Sequence, residues 1–372
     1  MEDKIYWVAV NLVKGIGAVR LRALLDYFGD LKTAWNAPAD ALMQAGLSEK
    51  VAARLVEVRS TKDLQKMAEW IEKHDIQVFT WNDENYPAIL KEIDQPPPVL
   101  YVRGKILPED NRAAAVVGTR KVTAYGRQVT EEIIHHLVQN GFTVVSGLAR
   151  GVDGIAHQAA LQDGGRTLAV LGCGVEQVYP AEHMKLAEQI IGSGALISDY
   201  APGTKPDAAN FPPRNRIISG LSQVTIVIEA GETSGALITA TFAVEQGRDV
   251  MAVPGSIYAP QCKGTNRLIS QGAFPYTGPA SLENLLNLSP KKRQSAQQKV
   301  KPENEIEAGL VQVMGTSQSM HIDELVAASG LGIEKISAAL TMMELRGLVN
   351  HEGGMVYSLR EPGELYVTEP DE

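Results

Sequence analysis

The apolar positions of this chain fall into a repeated unit. Between residues 113 and 269, short runs of β-branched and small apolar residues alternate with longer segments whose apolar positions recur at helical spacing. The runs at 114–117, 143–145, 168–171, 196–198, 225–228 and 250–253 predict strands. None alternates strictly, so both faces of each strand should be covered. Segments 126–139, 154–161, 182–191, 215–221 and 235–246 predict the intervening helices. Such alternation implies right-handed crossovers and a mostly parallel, Rossmann-like α/β sheet.

The flanks follow other patterns. Residues 5–60 read as several short helices, with a connecting helix at 62–73. Runs 78–81 and 99–102 predict two strands, separated by Tyr86-Pro87 and by Pro96-Pro97-Pro98, which exclude helix. They read as an arm added to the sheet edge. After Leu288 a polar, basic stretch between Pro290 and Pro302 reads as a mobile linker. Helical segments at 306–314, 322–329 and 333–346, then two short strands around Gly353-Gly354, match the order of a winged helix. The expected domains are a small helical one at 1–75, the sheet domain at 76–288, a linker at 289–304, the winged helix at 305–360 and an acidic tail at 361–372.

Charge changes this picture only when mapped. The net charge is −9, but from Pro302 onward the chain carries thirteen acidic and three basic residues, so the rest is almost neutral. A neutral body can hold a basic groove. A winged helix this acidic would be repelled by phosphate, which points to protein contact or regulation. Two cysteines exclude a disulfide framework, no apolar run approaches the ~18 residues of a membrane helix, and the amino terminus lacks a secretion-signal layout. A cytoplasmic protein with no membrane attachment is expected.

Polar and glycine residues gather after the predicted strands, where sheets of this kind bind ligands. The stretch from Ser146 through Gly147, Arg150 and Gly151 into a helix start reads as a phosphate cradle of loop amides, with Asp153 and His157 following. Gly118-Thr119-Arg120-Lys121 adds two cations. Phe211-Pro-Pro-Arg214-Asn215-Arg216 puts two arginines at a helix start, a poor place for cations unless an anion is near. One of them is expected to pair with a carboxylate such as Asp199 or Glu229 and the other to face the ligand. Ser234-Gly235 offers a second cradle or an ordinary cap, and Lys263 a further clamp. Asp153 and His157 could be an acid–base pair, though a capping carboxylate and a packed histidine is the commoner origin of that spacing. Cys173 has no base in view. Gly15-Ile-Gly17 resembles a helix-hairpin-helix turn, which either touches phosphate or only packs helices. No Walker motif, dinucleotide fingerprint or zinc spacing occurs, so neither cofactor nor metal is expected, and no catalytic residue is assigned.

Together, Val116-Val-Gly-Thr-Arg-Lys121, Ser146 to His157, Phe211 to Ser222, Ser234-Gly-Ala-Leu-Ile-Thr239 and Val250-Met-Ala-Val-Pro-Gly-Ser256 resemble the DNA-processing protein A family (DprA, also called Smf). The resemblance implies a single-stranded DNA-binding protein, not an enzyme, that protects incoming strands and loads a RecA-type recombinase in natural transformation. It also implies a homodimer built through the sheet domain. It carries the family's arginine onto Arg120 and its Arg-Asn-Arg motif onto Arg214, Asn215 and Arg216. Where members place a lysine three positions before the phenylalanine, this chain has Ala208, with Lys205 near enough to substitute if the loop bends. Two other readings remain from the residues alone. One is a nucleoside monophosphate hydrolase using Glu229 or Glu232 at the same rim; the other is a scaffold with a vestigial rim.

Overall fold

The computed structural model describes residues 3–288, 302, 304–315, 319–346 and 348–359. Six front helices, α1 (Lys4–Asn11), α2 (Ala18–Phe28), α3 (Leu31–Asn36), α4 (Ala39–Gln44), α5 (Glu49–Thr61) and α6 (Leu64–Lys73), lead into β1 (Gln77–Thr80), α7 (Ala88–Lys91) and β2 (Val99–Gly104). The repeated unit follows as β3 (Ala113–Val117), α8 (Ala124–Gln139), β4 (Thr143–Ser146), α9 (Val152–Gln162), β5 (Thr167–Val170), α10 (Met184–Ser193) and β6 (Ala195–Ser198). It continues through α11 (Phe211–Gly220), β7 (Val224–Val227), α12 (Ala236–Glu245), β8 (Asp249–Ala252), α13 (Lys263–Ser270), β9 (Phe274–Pro275) and α14 (Pro279–Leu285). The strands form one sheet of order β1-β2-β6-β5-β4-β3-β7-β8-β9. Pairing is parallel from β6 to β9, and β1 and β2 join antiparallel, as an arm should.

All six core strands predicted from the apolar runs are present, because each is buried on both faces. Ala114 and Val116 pack with α8 and α9, while Ala113, Ala115 and Val117 pack with α11 and α12. β9 was not expected; two exposed residues leave no pattern to read. The boundary expected at residue 75 is not a break in packing. The front helices share one core with Val78, Val99 and Tyr101, whose hydroxyl donates to Asn11 Oδ1 at 3.0 Å. Residues 3–288 accordingly lie in one compact unit, Met1–Ser289. The connecting helix, α6, buries Ile71 in that core.

The amino ends of the strands are clamped by one buried carboxylate. Asp110 accepts from Leu107 N, Thr143 Oγ1 and both Nε and Nη2 of Arg166, each at 2.8 Å. Arg166 also donates to Ser193 O at 3.1 Å and Lys105 O at 2.9 Å. The approaches to β3, β4, β5 and β6 thus meet at one ion pair.

The second unit contains α15 (Glu305–Met314), β10 (Met320–His321), α16 (Ile322–Ser329), α17 (Ile333–Leu345), β11 (Val349–Gly353) and β12 (Val356–Leu359), with strand order β10-β12-β11. Leu310, Leu325, Ile336, Leu340 and Met343 form its core. This is the winged-helix order. Most of the expected linker and all of the expected acidic tail lie outside the described residues. No single described helix is long and apolar enough to cross a membrane.

Candidate nucleic-acid interface

The loop after β4 folds on itself more than its glycines suggested. Gly147 N and Ala149 N donate to Asp153 Oδ2 at 3.1 and 3.4 Å, and Val152 N donates to Thr119 O at 3.2 Å. Much of the expected cradle of unpartnered amides is therefore already occupied by Asp153, which ties down the loop from inside the first turn of α9 and does not cap the helix, whose N-cap is Gly151. Ser146 is a further correction: its hydroxyl is fully buried and donates to Val116 O at 2.6 Å, so it does not face the rim. Gly151, at φ +77°, lies where a Cβ would overlap Thr119 O, which keeps the loops after β3 and β4 in contact.

His157 is fully buried, with Nδ1 2.6 Å from Thr167 Oγ1. Burial, with His183 and Arg214 adding to it, depresses its pKa from 6.5 to about 3. Such a ring binds fewer protons folded than unfolded between those values. Its contribution to stability is complete above about pH 6.5 and is lost as pH falls towards 3, by at most ~1.4 kcal/mol per pH unit. In His157→Gln this part of the acid limb should flatten, as measured by urea unfolding at stepped pH. Burial also pushes the Cys173 thiol up to about 11, which removes it as a nucleophile at neutral pH.

The arginines divide by partner. Arg216 is tied to Asp199 Oδ2 at 2.7 Å and Gln95 O at 2.5 Å. Arg150 makes a two-pronged pair with Glu182, both bonds 2.7 Å, and is already neutralised at the surface. Lys263 lies 3.5 Å from Glu232, both exposed. Arg120 and Lys121 are exposed and have no carboxylate partner among the described residues. Arg214 differs from all of these. It is 5% exposed, and its Nε and Nη1 are sealed from solvent without an acceptor. Burial works against its charge and raises the pKa of the neighbouring Asp153, while each ion partly supports the other. A guanidinium does not deprotonate in proteins, so Arg214 stays charged, and Asp153 offsets only part of the cost of burying it.

The remaining predicted positions shape the rim. Gly118 and Thr119 carry the β3 loop, with Thr119 N donating to Glu229 O at 2.7 Å. Asn215 Nδ2 donates to Gly235 O at 3.2 Å, and Ser234 Oγ accepts from Ala236 N at 3.4 Å, though the N-cap of α12 is Gly235 and not the expected serine. Lys205 is exposed in the loop before Ala208. Glu229 is buried and its two oxygens hold Thr123 N and Oγ1 at 3.0 and 2.5 Å, fixing the start of α8. Gly15 receives a bond from Arg20 and Lys14 one from Arg54, so arginines brace the front turn. One rim feature gave no sequence signal. Tyr179 stacks on Phe211 with ring centres 5.6 Å apart and remains 46% exposed. An exposed aromatic stack can take up unpaired bases.

Comparison with known proteins decides the family. The DNA recombination-mediator protein A model matches residues 77–287, and a DprA winged helix domain model matches 294–355. The chain belongs to the DNA recombination-mediator protein A family. It is 35% identical to Protein Smf of Synechocystis sp., over 96% of this chain and 99% of that protein. The X-ray structure of DNA processing protein A (DprA) from Streptococcus pneumoniae superposes with a TM-score of 0.66 at 33% identity, covering 75% of this chain and 97% of that one. DNA processing protein A from Helicobacter pylori, described for its single-stranded DNA binding mode, gives 0.52 at 29% identity, over 57% and 97%. The mostly parallel sheet, helical front and winged helix are thus the recombination-mediator protein A layout.

Proposed function

We propose that this protein binds single-stranded DNA along the rim after β3, β4 and β6. In this reading it protects incoming strands without chemical turnover and loads a RecA-type recombinase in natural transformation, as a cytoplasmic homodimer. The observation that carries the reading is Arg214, a buried guanidinium without an acceptor behind a rim bearing the unpaired Arg120 and Lys121. A phosphate oxygen would relieve it, and Tyr179 on Phe211 would receive bases. The Helicobacter pylori relative is described as binding single-stranded DNA, which supports the same ligand here. Arg150, Arg216 and Lys263 join only by exchanging their carboxylates for phosphate; Lys205 remains the proposed substitute for the lysine missing at Ala208.

The nucleotide hydrolase fares less well. It needs a carboxylate poised at the sugar, and Glu229 is bound to Thr123 while Glu232 lies at the surface beside Lys263. The winged helix fits protein contact: α17 exposes Ile333 and Met342 and carries Glu334 and Glu344 against Lys335 alone.

Salt titration of binding to an unstructured oligonucleotide and to a duplex tests this. Neutralising about four phosphates gives a log–log slope of roughly −3 on single strands. Arg120→Ala and Arg214→Ala should each weaken binding to all sequences alike, and deleting residues 303–372 should leave duplex affinity unchanged. Salt-independent binding, or release of free base from a nucleotide, would move the assignment to the hydrolase.

A further inference from the structure

A cleft of about 580 Å³ opens beside the rim on the face covered by α8, α9 and α10. Arg120 and Lys121 stand at its rim side, and its walls carry Arg127 from α8 and Lys185 from α10. Glu182 is the sole carboxylate in its lining, and both oxygens of that group are taken by Arg150. Arg127 has only a 3.8 Å contact to the exposed Glu131. Lys185, like Arg120 and Lys121, has no carboxylate partner among the described residues. Four cations around one hollow repel one another, and none serves the fold by pairing inside it. Gln158 and Gln189 add amide groups that bond phosphate, sugar or base without preference. The volume lies within the ~300–1,000 Å³ range of ligand sites.

We infer that this cleft is a second phosphate-binding subsite, through which the single strand leaves the rim and runs down over α9 between α8 and α10. The inference rests on the rim being a single-strand site and extends it to Arg127 and Lys185. Continuity favours a strand over a free anion, because Arg120, Lys121 and Gly151 belong to both the rim loops and the cleft. Tyr179 stands three residues before Glu182, which lines the cleft, so the chain itself links the aromatic stack to the cleft wall. Bases would stack there while the following phosphates enter between Lys185 and Arg127. A groove that tracks the backbone with cations beside an aromatic platform is how sequence-tolerant strand binders work.

The test uses the full chain with two thymidylate oligomers, one of about 6 nucleotides and one of about 20, which bracket the span of rim and cleft. Arg127→Ala/Lys185→Ala should weaken the long oligomer about tenfold at low salt and make its log–log salt slope shallower by roughly 1.4, two phosphates' worth. The short oligomer should be unaffected, Glu182→Gln should tighten the long one, and Arg127→Lys/Lys185→Arg should bind as the parent. Unchanged long-oligomer affinity in the alanine pair, with Arg120→Ala still weakening it, overturns the cleft and leaves the rim intact. If Arg120→Ala also has no effect, the rim reading itself fails. Competition by inorganic phosphate or thymidine monophosphate that vanishes in the alanine pair, without loss of oligomer binding, would make the cleft a small-anion site and also overturn the inference.

Discussion

Gly147→Ala is expected to weaken single-strand binding by about tenfold to a hundredfold, the value of one charge-assisted hydrogen bond. A methyl group at this position would overlap Arg214 Nη1 and stand 2.7 Å from its Cζ and 2.8 Å from Asp153 Oδ2. The guanidinium must then leave its seat, and Asp153 loses the cation that offsets its burial. Overpacking of this kind costs ~1–3 kcal/mol in stability, so the variant should still fold but melt lower. Its salt slope should lose roughly 0.7, the share of one phosphate on a single strand. Arg214→Met separates the effects, since it removes the cation without crowding the loop. A folded Gly147→Ala protein that binds the oligonucleotide like the parent would remove Arg214 from the interface.

The second large effect lies at the other end of the strands and should spare binding. Asp110→Ala leaves Arg166, Thr143 Oγ1 and Leu107 N without their shared acceptor. Breaking a buried ion pair by deleting one partner costs ~3–5 kcal/mol, a large fraction of the stability of an ordinary domain. Urea unfolding should show the loss as a lower midpoint. Binding measured below the new transition should match the parent, because the clamp holds the amino ends of β3 to β6 while the proposed ligand groups lie at the carboxyl ends. A drop in affinity at full folding would mean that strain passes along the strands to the rim.

These cases show what sequence reveals and what it hides. Core strands are legible because burial on both faces leaves unbroken apolar runs, as in Ala113–Val117. Loop cations are legible as residue types and their partners only in part: Asp199 is among the carboxylates expected for one arginine at the start of α11, but which arginine takes it is not readable. Glu182 is 32 positions from Arg150, and Asp199 is 17 from Arg216, so neither pairing shows as a local pattern. Only folding separates Arg214, left without an acceptor, from Arg216, which sits two residues later and is paired. Ser146 misled for a related reason: at the end of a strand, side-chain direction decides between rim and interior, and the hydroxyl points inward. The front was readable as several short helices without their individual bounds, and a core shared with Tyr101 depends on packing between segments far apart in the chain. Tyr179 and Phe211 each look like an ordinary aromatic until the fold stacks them.

The Glu229 carboxylate that holds Thr123 has a consequence for synthesis. The two residues are 106 positions apart, and β3, which carries the first rim loop, pairs with β4 on one side and β7 on the other. A nascent chain that has emerged only through β6 can assemble β3 to β6 as neighbours, yet it lacks the side chain that anchors α8. The Arg120 loop therefore takes shape late, once β7 inserts beside β3, and long-range closures of this kind are slow. Until the ribosome has delivered the second half of the sheet, the growing polypeptide presents cations but no organised groove, which would delay the proposed nucleic-acid capture until the fold is nearly whole.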